Sequence, residues 1–147
     1  MDYNNNRKSC GNRPMNKRIP LAVQEVQEQY TVALQKLYEK NDLESIFFLR
    51  IAAETGLRMR DIYDLKPSEI IVRKIYKKSL KTGKYEDYPL ISEETGRIAE
   101  QLVERQGRFF SKDYLYYITE IKRQFSNPNM RLLYIVSYKR TVGKKIM

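Results

Sequence analysis

Apolar positions after the N-terminal segment recur with helical spacing. Over residues 21–40 they fall near every third or fourth position, which predicts an amphipathic helix, and Pro20 suits its first turn. Apolar residues of the stretch 43–55 run almost all the way round the helix, so this second helix is expected to be the most buried one. Asp42 is placed to cap its beginning, and Gly56 is placed to end it in a left-handed conformation.

The hydrophobic period changes in the middle of the chain. A short third helix is predicted over 59–65 and closed by Pro67. Residues 70–91 combine β-branched positions with an alternating stretch, and Gly83 lies between them in "LKTGK", which predicts a β-hairpin with its turn at that glycine. Ser92 then has the position and the chemistry of a helix N-cap.

The last third of the chain predicts two further helices and an end of mixed character. One helix is expected over 93–106 and another over 112–125, the second of them capped by Ser111. Residues 130–147 are expected to begin as a short apolar strand and to continue from Ser137 as a basic helix. Together with the hairpin, these elements predict a mainly helical α+β fold, a helical bundle with one small β-hairpin or three-stranded sheet.

Composition restricts the chemistry available to this fold. The chain has 147 residues, enough for one domain, expected over 20–147 behind a flexible basic arm over 1–19. It has no histidine and one cysteine, Cys10, so a histidine general base, a zinc site and an internal disulfide are excluded, and no metal or cofactor is expected. No apolar run approaches the roughly 18 residues of a membrane span. The protein is expected to be soluble, cytoplasmic or nucleoid-associated, and without a membrane partner.

Basic charge is concentrated at the two ends of the chain. There are 28 Lys and Arg against 18 Asp and Glu, a formal net charge of +10, which favours an anionic partner and nucleic acid first of all. The basic positions concerned are Arg7, Lys8, Arg13, Lys17 and Arg18 in the arm, and Lys122, Arg123, Arg131, Lys139, Arg140, Lys144 and Lys145 in the acid-free stretch near the C-terminus. Segregation at both ends favours phosphate binding over an ordinary solvated surface.

Several short motifs stand in a definite order around the hairpin. A buried helix ends in "TGLR", a short helix with an acid and two apolar positions follows, and the hairpin then carries "KTGK" at its tip and "YPLI" on its second strand. This order resembles the catalytic core of the tyrosine recombinases, the phage integrase family. The matching positions are Thr55, Gly56, Leu57, Arg58, Asp61, Ile62, Leu65, Lys81, Pro89 and Leu90. Taken singly, each motif has an ordinary alternative: a helix stop, a surface arginine or a turn lysine.

The resemblance, which covers residues 42–106, implies a phosphate site made of three cations. Arg58 would supply one half of an arginine clamp, because a guanidinium can bind two phosphate oxygens at once. Lys81 would reach the DNA beside the scissile bond and protonate the leaving 5′ oxygen. In "SYKR", Ser137 and Arg140 match the family's H-x-x-R box with serine in place of histidine, so Arg140 would be the second arginine. The three cations are then expected to converge on one phosphodiester.

The same resemblance implies that strand exchange is lost. Both family histidines are missing, and the sequence reaches Met147 before the segment that would carry the nucleophilic tyrosine. Tyr138 is retained as a candidate nucleophile, yet it precedes Arg140 instead of following it. Without a nucleophile, charge stabilisation has no covalent step to assist, whereas a cationic cleft still binds DNA.

The sequence therefore predicts a protein that binds double-stranded DNA on a reduced recombinase core, with a regulatory or architectural role and an origin in a phage, a plasmid or another mobile element. Two alternatives stay open. In one, a full-length recombinase subunit or a second copy of this chain lends the missing tyrosine to an active recombinase. In the other, the chain is a basic helical adaptor for an acidic protein. Further candidate DNA contacts, besides the basic residues of the two ends, are Arg60, Lys78 and Lys84.

Overall fold

The computed structural model describes residues 21–85 and 87–143, with side chains as far as Thr141. Most of this part of the chain is helical. The α-helices within it are α1 (Val23–Glu39), α2 (Leu43–Thr55), α3 (Met59–Tyr63), α4 (Glu93–Gln106), α5 (Tyr114–Gln124) and α6 (Leu132–Tyr138).

Helix α2 lies at the centre of the fold, as its apolar surface predicts. Phe47, Phe48 and Leu49 are fully buried, and α1, α4, α5 and α6 all pack against α2. Both predicted caps are present: the Asp42 carboxylate accepts a hydrogen bond from a first-turn amide (3.2 Å), and Gly56 ends the helix at a φ of 70°. None of the described helices, α2 included, has both the length and the hydrophobicity that crossing a bilayer requires.

Aromatic side chains join α2 to α5 and to the loop between α4 and α5. The ring centroids of Phe47 and Phe109 lie 4.6 Å apart, and those of Phe48 and Phe110 lie 5.4 Å apart. Phe110 also meets Tyr117 edge-on at 5.0 Å. Such contacts add about 0.5–1.5 kcal/mol each to the free energy of burial, so the cluster fixes α5 and the preceding loop against the central helix.

The N-cap of α5 differs from the prediction. Asp113, not Ser111, caps the helix, because the Asp113 carboxylate accepts a hydrogen bond from the Tyr116 amide (2.9 Å). Ser111 donates instead to Glu44 in the first turn of α2, from its amide (2.8 Å) and its hydroxyl (2.7 Å). Serine and aspartate cap helices about equally well, so the sequence alone could not choose between two candidates two positions apart.

The small sheet confirms a mainly helical α+β fold, but its regular strands are shorter than predicted. Strand β1 (Ile70–Ile71) follows a 3₁₀ turn over Pro67–Glu69 and pairs antiparallel with β2 (Lys74–Ile75). Val72 and Arg73 form the tight turn between the strands, with left-handed φ angles of 49° and 62°. Neither residue type favours that conformation, so the sequence carries no signal for a turn there.

The hairpin predicted over 70–91 is present as isolated bridges and not as two regular strands. Its arms meet where Lys74 bridges Leu90 and where Lys78 bridges Tyr85. Because β1 lies on the other edge of β2, the middle segment has an antiparallel neighbour on each side. The arrangement approaches the small three-stranded sheet of the prediction, with two regular strands within the described residues.

The predicted strand at the start of the last segment, over 130–136, is wrong. Helix α6 occupies that stretch, and Leu132, Ile135 and Val136 are buried, with α1 and α2 packed against the helix. Their spacing is helical, but a short apolar run is compatible with either structure until its packing partners are known. The basic helix predicted to follow is present as the end of α6 and a π-helical turn, Lys139–Gly143.

Candidate nucleic-acid interface

A cleft of about 680 Å³ lies between the turn after α2, the tip of the hairpin and the end of α6. We call it the cationic cleft. The residues that line it are Arg58, Met59, Arg60, Asp61, Leu80, Lys81, Tyr114, Leu133, Val136, Ser137 and Arg140. Three cations that stand far apart in the sequence, Arg58, Lys81 and Arg140, thus line one site, and Arg60 joins them.

Positive charge dominates the cationic cleft. Its acid, Asp61, is only 2% exposed, and its Oδ1 accepts a hydrogen bond from the Leu80 amide (2.9 Å). That carboxylate therefore attaches the hairpin tip to α3. The surrounding guanidinium and ammonium groups favour a ligand that offers several anionic oxygens at once.

The turn after α2 holds Arg58 in place. The Thr55 hydroxyl donates to the Ile51 carbonyl (2.7 Å) and accepts from the Leu57 amide (3.1 Å), while the Leu57 side chain is buried. Arg58 then begins α3 as its N-cap residue in an extended backbone conformation. Its Nη1 donates a long hydrogen bond to Ser79 Oγ (3.4 Å), which joins the turn to the hairpin. Side-chain and backbone contacts thus position Arg58 between two elements.

A single buried hydroxyl organises the hairpin tip. Ser79 is 3% exposed, and its Oγ accepts hydrogen bonds from the amides of Lys81 (3.2 Å) and Thr82 (3.3 Å). The Lys81 side chain stays exposed above this fixed backbone. Sequence reasoning missed Ser79, because a serine near a turn is common and the contact that gives it a role comes from the distant Arg58.

The end of α6 meets the turn after α2 at Gly56. Arg140 Nε donates to the Gly56 carbonyl (2.5 Å), and a Cβ added at Gly56 would lie 3.2 Å from the Cγ atoms of both Arg140 and Lys139. Glycine therefore serves twice: it ends α2 in a left-handed conformation, and it admits the C-terminal segment at close range. The second role has no sequence signal. Arg140 and Ser137, one helical turn apart, both line the cationic cleft, and Lys139 lies beside it.

Two tyrosines near the cleft are placed very differently. Tyr114 lines it, with the Arg60 guanidinium carbon 3.9 Å from the ring centroid. Burial raises the pKa of Tyr114, although the positive charge of Arg60 opposes the shift. Tyr138 does not line the cleft, and its hydroxyl accepts a hydrogen bond from Gln27 Nε2 on α1 (2.7 Å).

The remaining basic candidates do not gather in the cationic cleft. Lys122 donates to the carbonyls of Pro128 (3.0 Å) and Met130 (2.6 Å), so it closes the loop after α5. Arg123 pairs with Glu120 (3.0 Å) on the same helix. The exposed candidates elsewhere are Lys78 and Lys84 on the hairpin and Arg131 at the start of α6. The candidates that lie outside the described residues are Arg7, Lys8, Arg13, Lys17, Arg18, Lys144 and Lys145.

A buried lysine supports the base of the hairpin. The Lys77 side chain is 4% exposed, and its Nζ lies 2.8 Å from Asp64 Oδ2 and 3.8 Å from Glu69 Oε2. The hydrogen bond from Lys77 holds the pKa of Asp64 below its ordinary value, against the effect of burial. Lys77 therefore has a structural role, and because two lysines stand side by side in the sequence, nothing there indicates that Lys77 is buried and Lys78 exposed.

Comparison of the chain with protein-family models, with curated proteins and with solved structures gives no match. The geometry of the cationic cleft is therefore the basis on which a function can be assigned.

Proposed function

We propose that this chain binds DNA through the cationic cleft, on a core that resembles that of the tyrosine recombinases, and that it carries out no strand exchange of its own. The observation that carries the proposal is the shared site of Arg58, Lys81 and Arg140. These residues lie on a turn, a hairpin tip and a C-terminal helix, and the contacts at Gly56 and Ser79 connect the three elements. The proposed role is regulatory or architectural.

Charge and shape support a phosphodiester as the ligand of this site. In the cleft, Arg58 and Arg140 carry guanidinium groups, whose planar form suits phosphate oxygens, and a lysine adds a point charge on a flexible side chain. Phosphate contacts of this kind need no base readout, so they give affinity and register without sequence information. A duplex backbone held here would release counterions, and its affinity would fall steeply with salt.

The tyrosines near the site support binding without covalent chemistry. A nucleophilic tyrosine must reach the phosphorus atom and lose its proton. The Tyr138 hydroxyl is engaged with Gln27 on α1, outside the cleft lining. Tyr114 does line the cleft, but burial raises its pKa and so disfavours the phenolate that would attack.

A gel-shift titration of duplex DNA tests the proposal. We expect binding that weakens steeply between about 50 and 200 mM salt, and we expect Arg58→Ala to lower the slope of log affinity against log salt by about one. Arg97→Ala is the matched control, because Arg97 is exposed on α4, pairs with Glu94 (3.0 Å) and does not line the cleft. Arg140→Lys tests the second guanidinium while it keeps the charge.

Two results would overturn the proposal. Failure to shift any duplex at low salt would favour an adaptor for an acidic protein. A covalent protein–DNA adduct trapped on a suicide substrate, and lost in Tyr138→Phe, would show an active recombinase component instead. Melting temperatures of all variants separate a loss of binding from a loss of fold.

A further inference from the structure

Three tyrosines of the hairpin form an exposed row outside the cationic cleft. Tyr88 lies in the middle, with ring centroids 5.2 Å from Tyr76 and 5.8 Å from Tyr85. The three residues are 37%, 51% and 43% exposed in the order Tyr76, Tyr85, Tyr88. Buried aromatic residues contribute to stability through the area they remove from water, whereas much of this row stays in solvent. We call it the tyrosine row.

The backbone at the centre of the tyrosine row is strained. Tyr88 has a φ of 51°, in the left-handed region that bulky side chains rarely adopt, and it precedes Pro89, which further restricts the residue before it. Neighbouring contacts hold this conformation, since the Ile75 amide donates to the Pro89 carbonyl (2.9 Å) and the Ile91 amide donates to the Arg73 carbonyl (2.9 Å). Strain that the fold maintains at an exposed aromatic residue points to a binding role.

The charges around the tyrosine row are mostly positive. Residues 74–85 contain five lysines and no acid, and four of these lysines remain once Lys77, which is buried and paired with Asp64 and Glu69, is set aside. The Lys78 ammonium lies 5.8 Å from the centroid of the Tyr85 ring. In the sequence, the acids Glu86 and Asp87 follow Tyr85, so the positive charge is concentrated over residues 74–85. Aromatic faces beside lysines match a ligand that alternates flat rings with negative charges.

A second cavity connects the tyrosine row to the phosphate site. It has a volume of about 570 Å³, and Tyr88 and Leu90 line it together with two cations, Lys139 and Arg140, and two acids, Glu54 and Asp87. Arg140 lines this cavity and the cationic cleft alike. A strand whose phosphate is bound at the arginines can therefore extend its bases toward Tyr88.

We propose that the tyrosine row is a stacking site for unpaired bases of a nucleic acid strand next to the phosphate site. The inference rests on the proposed function and names the form of DNA that the chain prefers: single-stranded or locally unpaired. Stacking on aromatic side chains tolerates any sequence, because every base has a flat face, whereas the bases of an intact duplex present only their edges. Leu90, which is 62% exposed, lines the second cavity with Tyr88 and offers further apolar contact.

Fluorescence anisotropy with four labelled probes tests the inference: an oligothymidine, an abasic strand of the same length, a duplex and an oligouridine. We expect the oligothymidine to bind more tightly than the abasic strand, which keeps the phosphates and lacks the bases. Tyr88→Leu and Tyr85→Leu should each weaken oligothymidine binding about 5- to 100-fold and leave duplex and abasic binding unchanged. Tyr88→Phe and Tyr85→Phe, which keep the ring, should stay within about twofold of the parent protein.

The outcomes separate this inference from the proposed function. Equal affinity for the abasic strand and the oligothymidine would overturn the stacking site and leave phosphate binding intact. No binding to any of the four probes would overturn the proposed function itself. Oligouridine bound as tightly as oligothymidine would support stacking without discrimination between DNA and RNA. If the leucine variants fail to fold, the affinities of the parent protein for the abasic strand and for the oligothymidine still show whether the bases contribute to binding.

Discussion

The core around α2 and the hairpin over 70–91 differ in how much of each is buried and in how much regular hydrogen bonding each contains. In the core, Phe47 and Phe48 are fully buried and the helix has a cap at each end. In the hairpin, regular pairing is limited to two residues a strand, and Val72 is 88% exposed. Stability is therefore concentrated in the helices, and the hairpin is free to carry exposed rings and lysines. The cationic cleft lies where the two regions meet.

Removing a central ring should have the largest effect on the free energy of unfolding. Phe47 is fully buried and packs against Phe109 and Phe110, so Phe47→Ala leaves a cavity that neighbouring side chains cannot fill. We expect a loss of about 3–5 kcal/mol, measured by urea unfolding. Lys84→Ala, at an exposed hairpin position without a left-handed backbone, is the counterpart and should change stability by less than about 0.5 kcal/mol. Similar losses in the two variants would contradict the division between core and hairpin.

Two glycines allow a sharper test of the junction between the regions. Gly56 and Gly107 both end helices, with φ angles of 70° and 76°. A Cβ at Gly107 would meet nothing within 4 Å, whereas a Cβ at Gly56 would crowd Arg140 and Lys139. We expect Gly107→Ala to cost about 1 kcal/mol for the left-handed backbone alone, and Gly56→Ala to cost about 2 kcal/mol.

The same pair separates stability from binding. Because Gly56→Ala displaces Arg140 from the cationic cleft, it should also weaken duplex binding, while Gly107→Ala should leave binding unchanged. Equal binding by both variants would mean that the contact between Gly56 and Arg140 serves the fold and not the site. Chemical denaturation and gel shift on the same preparations provide both measurements.

Local sequence signals predict the core far better than they predict the site. Asp42, Gly56 and Ser92 cap helices where expected, because each signal depends on neighbours within one helical turn. The helical state of α6 depends on packing against α1 and α2, and the tight turn at Val72 is held by hydrogen bonds between its neighbour Arg73 and the distant Ile91. No local rule indicates either, because both depend on contacts with distant segments.

Part of the cationic cleft could be predicted from the sequence. The resemblance to the recombinases named Arg58, Lys81 and Arg140, which the structure brings to one cleft. It gave no indication of Ser79, whose hydroxyl joins the Arg58 turn to the hairpin tip. A family motif indicates the residues that are expected to contact a ligand. The residues that hold them in place can be identified only from the structure.

Acid should weaken the attachment of α5 to the core. Burial raises the pKa of Glu44, but hydrogen bonds from Ser111, Tyr117 and Gln106 outweigh it and hold that pKa below its ordinary value. Because the folded-state pKa is the lower one, the stabilisation is complete above the unfolded-state pKa, about 4.3, and is lost as the pH falls through the folded-state value. Glu44→Gln should reduce the loss in the free energy of unfolding as the pH falls, which is the acid limb of the curve of stability against pH.

Circular dichroism melts between neutral and acidic pH measure that limb. Glu100→Gln is the control, because Glu100 is exposed on α4. An acid limb that keeps its full slope in Glu44→Gln would assign the pH dependence to other carboxylates.

The smallest effect on stability, and the clearest separation of binding from folding, is expected at the hairpin tip. The Lys81 side chain is exposed, and Ser79 binds only its backbone amide. Lys81→Ala should therefore change the free energy of unfolding by less than about 0.5 kcal/mol.

A control at Lys36 tests whether Lys81 contributes to binding. Lys36→Ala removes the same charge from an exposed position on α1 outside the cleft lining. Both variants have the same net charge, so a general electrostatic attraction would weaken duplex binding equally in the two. If Lys81 contacts a phosphate, its variant alone should lower the slope of log affinity against log salt by about one. Equal slopes would leave the hairpin tip without a part in binding.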